Sequence, residues 1–311
     1  MSLVVVGSIA YDRIETPSRP EGVKVLGGSA TYCSVAASFF TVPQMVGVIG
    51  DDFANKDMEF LKDCNIDTGG IVREKGETFF WHGRYHDDME GRDSLDTRLN
   101  VFQNFNPDLH DTMRSPDILF LGNIAPILQL KVLDQMKNRP FVAADTIDLW
   151  INTALDELIK VISRVDLFFL NEDEAFRITK TDSLTNAAGA LLDMGPKAVI
   201  IKRGDAGAVL FDRNSWSFVP AWPLEKVVDP TGAGDTFAGG LMGFLDQKGD
   251  VSSNAMRAGL VTGSALASFC VGGFGPRHLA STKSATLKSR INGFINATRI
   301  DKKLLSWVMD D

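Results

Sequence analysis

The sequence is poor in the residues that would commit it to a metal centre, a redox pair or a membrane. It holds three cysteines, Cys33, Cys64 and Cys270, widely spaced and without a CxxC. Neither a zinc site nor a dithiol couple fits that spacing; buried free thiols in a reducing compartment are the expectation. No apolar run approaches the length of a membrane span. The segment Met1 to Gly7 carries no basic cluster, and its apolar run is too short for a signal peptide. The expected location is therefore the cytoplasm. No Lys/Arg run is present, and 32 basic against 40 acidic residues leave a formal charge of −8. That balance argues against a nucleic-acid partner. A GxxxxGK[ST] string is absent, and no GxGxxG follows the first strand, which argues against a P-loop kinase and a dinucleotide-binding oxidoreductase.

What is present is an α/β rhythm. Leu3 to Val6 is a short branched run ending at Gly7, the pattern of a buried strand. Gly27-Gly28 opens a helical stretch from Ser29 to Phe40. Gln44 to Ile49 reads as a strand and Asp51 to Cys64 as a helix. Thr78 to Tyr85 breaks the rhythm: Phe79, Trp81 and Tyr85 fall on one face of an alternating strand, and Phe80, His82 and Arg84 on the other. It reads as part of a small β flap, followed by a polar stretch from Asp87 to Asn100. Strands then recur at Ile118 to Leu121, Phe141 to Ala144, Leu167 to Leu170 and Ala198 to Ile201. Helical segments lie between them at Ile127 to Lys137, Asn152 to Ser163 and Leu184 to Met194. No repeat or linker divides the 311 residues. The expectation is one α/β domain over 1–311, a three-layer sandwich on a mostly parallel sheet, with a β lid from about 12–25 and 76–100.

The segment most suited to chemistry is Asp229-Pro230-Thr231-Gly232-Ala233-Gly234-Asp235. Phe237, Leu241, Phe244 and Leu245 follow on one face of a helix, so Gly232, Ala233 and Gly234 lie at its N-terminus. Backbone N–H groups there have no intrahelical partner, and the helix dipole adds positive potential. The result is an anion site open to a phosphoryl group, with Asp235 beside it as a carboxylate able to take a proton from a hydroxyl. A packing turn with a dipole-complementing Asp is the structural alternative.

At these residues the sequence resembles the ribokinase-like, or PfkB, carbohydrate kinase family, whose D-T-x-G-A-G-D type signature is matched from Asp229 to Asp235. The likeness runs over nearly the whole chain. Gly27-Gly28 matches the early diglycine near the sugar site, and Gly47 to Asp52 the G-x-x-G-x-D segment. Asn171 to Glu174 matches N-x-x-E, and Lys202 to Gly207 the nucleotide strand and turn. The resemblance implies a ribokinase-like fold with Asp235 as catalytic base and Gly232, Ala233 and Gly234 as anion hole. It implies acceptor contacts at Asp12, Gly27, Gly28, Tyr32 and Asp145, and nucleotide contacts at Lys202, Gly204, Gly207 and Thr231. Asn171 and Glu174 are implied in handling Mg²⁺. ATP is the implied phosphate donor, a monovalent cation is left open, and the flap is a water-excluding lid or a homodimer interface.

Other readings of these residues stand beside that one. N-x-x-E is also a capping-box pattern. Gly204 and Gly207 also suit a plain hairpin, and Asp12 an ordinary turn. Tyr32 departs from the family's Asn; it cannot replace an amide, but its ring can stack on a sugar face or a base. A carbohydrate kinase leads. A nucleoside kinase stacking a base on Tyr32, Phe79, Trp81 or Tyr85 is the near alternative, and a non-catalytic ligand sensor the more distant one.

Overall fold

The structure, a computed structural model, describes residues 1–89 and 91–298. Residues 90 and 299–311, which the expected domain and flap include, lie outside the described residues. Strands in chain order are β1 (Leu3–Val6), β2 (Ala10–Thr16), β3 (Arg19–Gly27), β4 (Gln44–Ile49), β5 (Asp67–Arg73), β6 (Phe79–Tyr85), β7 (Arg92–Arg98), β8 (Ile118–Leu121), β9 (Phe141–Ala144), β10 (Leu167–Asn171), β11 (Ala198–Lys202), β12 (Ala208–Asp212) and β13 (Trp216–Val219). The helices are α1 (Ser29–Ala37), α2 (Asn55–Asp63), α3 (Pro126–Asp134), α4 (Asp148–Thr153), α5 (Leu155–Ile162), α6 (Glu172–Thr179), α7 (Leu184–Asp193), α8 (Ala233–Lys248), α9 (Ser253–Cys270), α10 (Gly275–Ala280) and α11 (Ser284–Thr298).

Nine strands form one sheet in the order β13-β12-β11-β10-β9-β8-β1-β4-β5. Its pairs are parallel from β5 to β11, and β12 and β13 add as an antiparallel meander at one edge. The alternation of strand side chains sorts the core into two layers. Leu3, Val5, Ile118, Phe120, Leu167 and Phe169 face α1, α8 and α9. Val4, Val6, Leu119, Leu121, Phe168 and Leu170 face α3, α5, α6 and α7. Burial on both faces is why these strands are continuous apolar runs. Each such side chain contributes roughly 1.5–3 kcal/mol of burial, enough to set the strand positions without help from the turns.

The single helix expected from Asn152 to Ser163 is instead two. Ala154 leaves helical geometry at φ −149°, ending α4 and starting α5. The apolar spacing continues across the break, so the periodicity does not reveal it.

Strand order reverses between β1 and β8, the place where an open α/β sheet leaves a ligand crevice. The N-terminus of α1 sits there. Ser8 and Ser29 exchange bonds, Ser8 N–H to Ser29 Oγ at 3.1 Å and Ser29 N–H to Ser8 Oγ at 3.0 Å. A Cβ on Gly122, just past β8, would lie 2.9 Å from the same Ser29 Oγ. Gly28 takes φ +95°, and a side chain there would strike the Ser8 carbonyl. The diglycine is thus the price of seating α1 between two strand ends.

Helix α8 lies between α1 and α9, and its small residues permit this. A Cβ on Gly239 would collide with the Cys33 carbonyl, and one on Gly243 would come 2.7 Å from the Ala37 backbone. Gly239→Ala is expected to cost about 1–3 kcal/mol of stability through overpacking, read as a lower urea midpoint. An unchanged midpoint would mean that the helices separate freely.

A second sheet, β3-β2-β6-β7, stands off the first. Its strands come from residues 10–27 and 79–98. The polar stretch from Asp87 to Asn100, expected as part of the lid but without a strand of its own, contains β7, which pairs antiparallel with β6. Most of its residues are exposed, so it has no apolar alternation to display.

Candidate active site

The chain enters α8 through a tight turn. Asp229 Oδ1 accepts from the Thr231 N–H at 2.9 Å, and the Ala233 N–H donates back to the Pro230 carbonyl at 3.2 Å. The helical ladder begins with the Thr236 N–H on the Gly232 carbonyl, at 2.8 Å. The N–H groups of Gly234 and Asp235 therefore precede it, at the positive end of a 16-residue helix. Gly232 holds φ +74°, a conformation that costs residues with a side chain.

Asp235 is half-buried in this first turn. Burial pushes its carboxyl up to about 7, Asp145 pushes the same way, and Lys202 and Arg92 pull against them. Lys202, at the end of β11, lies against the turn: a Cβ on Gly234 would be 3.0 Å from its Nζ. The ammonium donates to Asp145 Oδ2 at 2.6 Å. Burial works to discharge Lys202, but Asp145, Glu174 and Asp235 outweigh it and hold the group charged. Asp145 also accepts from the Thr146 N–H at 2.9 Å, so this expected acceptor ligand is the counter-ion of Lys202.

Parallel pairing sets Asn171 of β10 beside Lys202. Asn171 and Glu174 form a complete capping box for α6. The Glu174 N–H donates to Asn171 Oδ1 at 2.8 Å, and the Asn171 N–H to Glu174 Oε2 at 2.7 Å. Burial lifts the Glu174 carboxyl to about 7, with Lys202 opposing. Among the described residues no group of three or more His, Cys, Asp or Glu side chains forms a metal cage. With Asn171 Oδ1 and one Glu174 oxygen engaged in the cap, the donor set fits a cation carried in by its own phosphates, not one caged by protein.

Gly204 and Gly207 make the β11–β12 turn just beyond Lys202. The Arg203 N–H donates to the Gly207 carbonyl at 2.8 Å, and the strands on either side pair antiparallel. The hairpin is present as one of the two readings had it.

Asp12 approaches from β2 of the second sheet. It is 5% exposed, and a Cβ on Gly27 would fall on its carboxylate. Burial, then the charges of Asp229 and Asp235, push it up to about 8, and a bond from the Gly28 backbone opposes them. Asp229 is pushed to about 6 by burial, against bonds from Thr231 and Gly275. Its Oδ2 has no protein partner among the described residues. Asp12 thus lies close enough to Asp229 and Asp235 to feel both charges, and that repulsion favours a proton or a hydroxyl donor at Asp12.

Tyr32 corrects an expectation. It does not offer a face to a ligand: it is 1% exposed, and its ring lies directly beneath Gly232, where an added Cβ would strike three ring carbons. Close packing of α1 on α8 carries it there. Its hydroxyl is buried without a protein partner among the described residues. Tyr32 supports the turn from below.

From above, the second sheet reaches the same turn. Tyr85 Oη lies 3.0 Å from Thr231 Oγ1, so Thr231, expected at the nucleotide, is joined to the flap; its carbonyl accepts from the Cys270 thiol at 3.5 Å. Arg92 of β7 pairs with Tyr85 in register, and its charge acts on both Tyr85 and Asp235. Sequence reasoning passed over Arg92 because it stood in a polar part of the expected lid that carries no motif. Its pairing with a cleft-facing aromatic strand is the sole trace it leaves.

Among the described residues no helix is long and apolar enough to cross a membrane. The family description "pfkB family carbohydrate kinase" matches residues 1–283. The chain is 31% identical over 255 residues to a protein named cytidine kinase from Thermococcus kodakarensis, covering 78% of this chain and 87% of that one. It is 22% identical over 282 residues to a ribokinase from Staphylococcus aureus, covering 83% and 90%. Its structure is similar to that of a Burkholderia thailandensis nucleoside kinase in complex with inosine, with a TM-score of 0.77 at 19% identity, covering 94% of this chain and 97% of the other. A match over so much of the chain, on a ribokinase-like α/β frame with the signature turn at a helix N-terminus, means that the chain belongs to the pfkB family of carbohydrate kinases and is an ATP-dependent kinase.

Proposed function

We propose that the protein transfers the γ-phosphoryl group of ATP to a hydroxyl of a sugar ring, either free or within a nucleoside. The observation that carries this reading is Asp235: a carboxyl tuned to about 7 in the first turn of α8, beside N–H groups outside the helical ladder. The acceptor ring rests against Asp12 and the Gly27-Gly28 backbone. Asp235 takes the proton of the attacking hydroxyl as its oxygen bonds to the γ-phosphorus. The bond from that phosphorus to the β,γ-bridging oxygen breaks, and ADP leaves. The N–H groups of Gly234 and Asp235, aimed by the Gly232–Gly234 turn, and the Lys202 ammonium face the negative charge on the phosphoryl oxygens, where fixed donors act most strongly. The Gly204–Gly207 turn, with a glycine at each end, flanks the rest of the triphosphate. Glu174 would hold, through water, the Mg²⁺ typical of this chemistry, which would supply charge neutralisation at the phosphates. The second sheet acts as a lid, with Tyr85 on Thr231 excluding water from the transfer.

The nucleoside form of the acceptor draws support from the similarity to a protein named cytidine kinase. The test is ADP release with Mg-ATP across free sugars, sugar phosphates and nucleosides. Turnover with none of them, at concentrations where ATP binds, would sink the reading.

A pH dependence follows from the tuning of Asp235. The base works ionised, so kcat/KM rises with pH through about 7, the value to which burial and Asp145 raise the group, and levels above it. Lys202→Met removes a charge that lowers this value and shifts the rise to higher pH. A profile flat from about pH 5.5 to 8 would be incompatible with Asp235 as the general base.

A further inference from the structure

Four aromatic side chains were candidates for stacking on a base, and three are committed elsewhere. Tyr32 lies under Gly232. Phe79 stacks on Phe102, with centroids 5.4 Å apart. Tyr85 is 5% exposed and bonded through its hydroxyl to Thr231. Trp81 remains, half-buried in the middle of β6.

Its setting is specific. The parallel register of β2 and β6 pairs Trp81 with Asp12 and Gly83 with Ile14, so these residues share one face of the second sheet. The opposite face is held by Glu15, which bonds His82 at 2.9 Å and Arg84 at 2.6 Å. The six-membered ring of Trp81 lies across Gly83, where a Cβ would collide with it. The indole N–H donates to Ser94 Oγ at 3.1 Å, and the Arg92 guanidinium sits 6.0 Å from the ring centroid. A strand interior is a poor place for glycine; here its bareness lets the indole fold down along the strand, and β7 supplies the residues that fix it.

We infer that Trp81 is the platform on which the base of a nucleoside acceptor stacks while its sugar lies against Asp12. The inference rests on the phosphotransfer reading of the same cleft and adds the acceptor class: a ribonucleoside, favoured over the free sugar by one aromatic face. An aromatic platform accepts any base, because every base has a π-face, so Trp81 selects nucleoside over sugar and not one base over another.

The test compares cytidine, adenosine and D-ribose as acceptors for wild type, Trp81→Ala, Trp81→Phe and Gly83→Ala. KM is measured with Mg-ATP, and Kd by calorimetry on the same proteins. Stacking on one aromatic ring is worth about tenfold or more in affinity. Trp81→Ala should therefore raise the ratio of nucleoside to ribose KM by about tenfold, and Trp81→Phe should restore most of it. Gly83→Ala keeps the indole but displaces it, and should move the ratio in the direction of Trp81→Ala. Equal changes for nucleosides and ribose would overturn the platform, as would wild type that binds ribose but neither nucleoside. That last result would leave phosphotransfer to a sugar intact. Nucleosides that bind through Trp81 with no acceptor turned over would instead defeat the phosphotransfer reading and keep the platform.

Discussion

Asp235→Asn is expected to lower kcat by about 10³-fold, within the range that a positioned general base supplies, while the Kd for ATP stays close to wild type. The substitution keeps the size of the side chain and its place in the first turn of α8. It removes the only property that transfer requires of it, a lone pair basic enough to hold the acceptor proton. Lys202 keeps its bond to Asp145, so the cationic side of the site survives. One secondary effect identifies the mechanism. The charge of Asp235 is one of those that hold Asp12 at about 8, so its loss lets Asp12 ionise at lower pH. Acceptor binding by the variant should then change its pH dependence, even as turnover collapses. Near-normal kcat in Asp235→Asn would show that the proton leaves by another route.

Gly232→Ala is expected to reduce kcat by about 100-fold, the scale seen when one fixed donor to a developing anion is lost. Two costs act together. The αL backbone at φ +74° disfavours any side chain, by roughly 1 kcal/mol. The new methyl also meets the Tyr32 ring. That ring is fully enclosed, so it cannot rotate away, and the turn must lift. The N–H groups of Gly234 and Asp235 then no longer aim at the phosphoryl position. Tyr32→Ala in the same protein clears the collision but not the backbone cost. The double variant should therefore regain part of the lost activity, even though Tyr32→Ala alone destabilises the core. If Gly232→Ala keeps its kcat, the turn is not the anion site.

The legibility of this molecule followed burial. Leu3–Val6, Gln44–Ile49, Ile118–Leu121 and Phe141–Ala144 were readable to the residue because both faces of each strand are packed, and every position must be apolar. β3 and β7 were foreseen only as lid, without strand bounds, since six of the seven residues of β7 and four of the nine of β3 face solvent and no pattern is imposed on them. β5, with Gly69-Gly70 in its middle, was not among the expected strands. At the site, the place of the Gly232–Gly234 turn at the N-terminus of α8 was legible, because a run of small residues stands directly before an amphipathic helix. The capping-box reading of Asn171–Glu174 was also legible, and the box is realised in full. The place of Tyr32 was not: what decides it is a glycine 200 positions away in the chain, brought beneath the same helix end by the meeting of α1 and α8. Lys202 and Asp145 were each assigned a separate ligand, whereas their mutual ion pair depends on strands β9 and β11 flanking β10.

The contact between α1 and α8 has a meaning beyond packing. At Gly239 and Gly243 one helix backbone rests on another, with no side chain between them. Side chains have rotamers and can rearrange; a backbone-to-backbone contact has no such adjustable part. The separation of the two helix N-termini, one behind Gly28 and the other behind Gly232, is therefore gauged by a spacer of zero thickness. Substitutions elsewhere in the core can be absorbed before they reach it. The two helix ends that frame the proposed cleft are thus held to a common datum, and under the phosphotransfer reading this datum sets the distance over which the phosphoryl group must move.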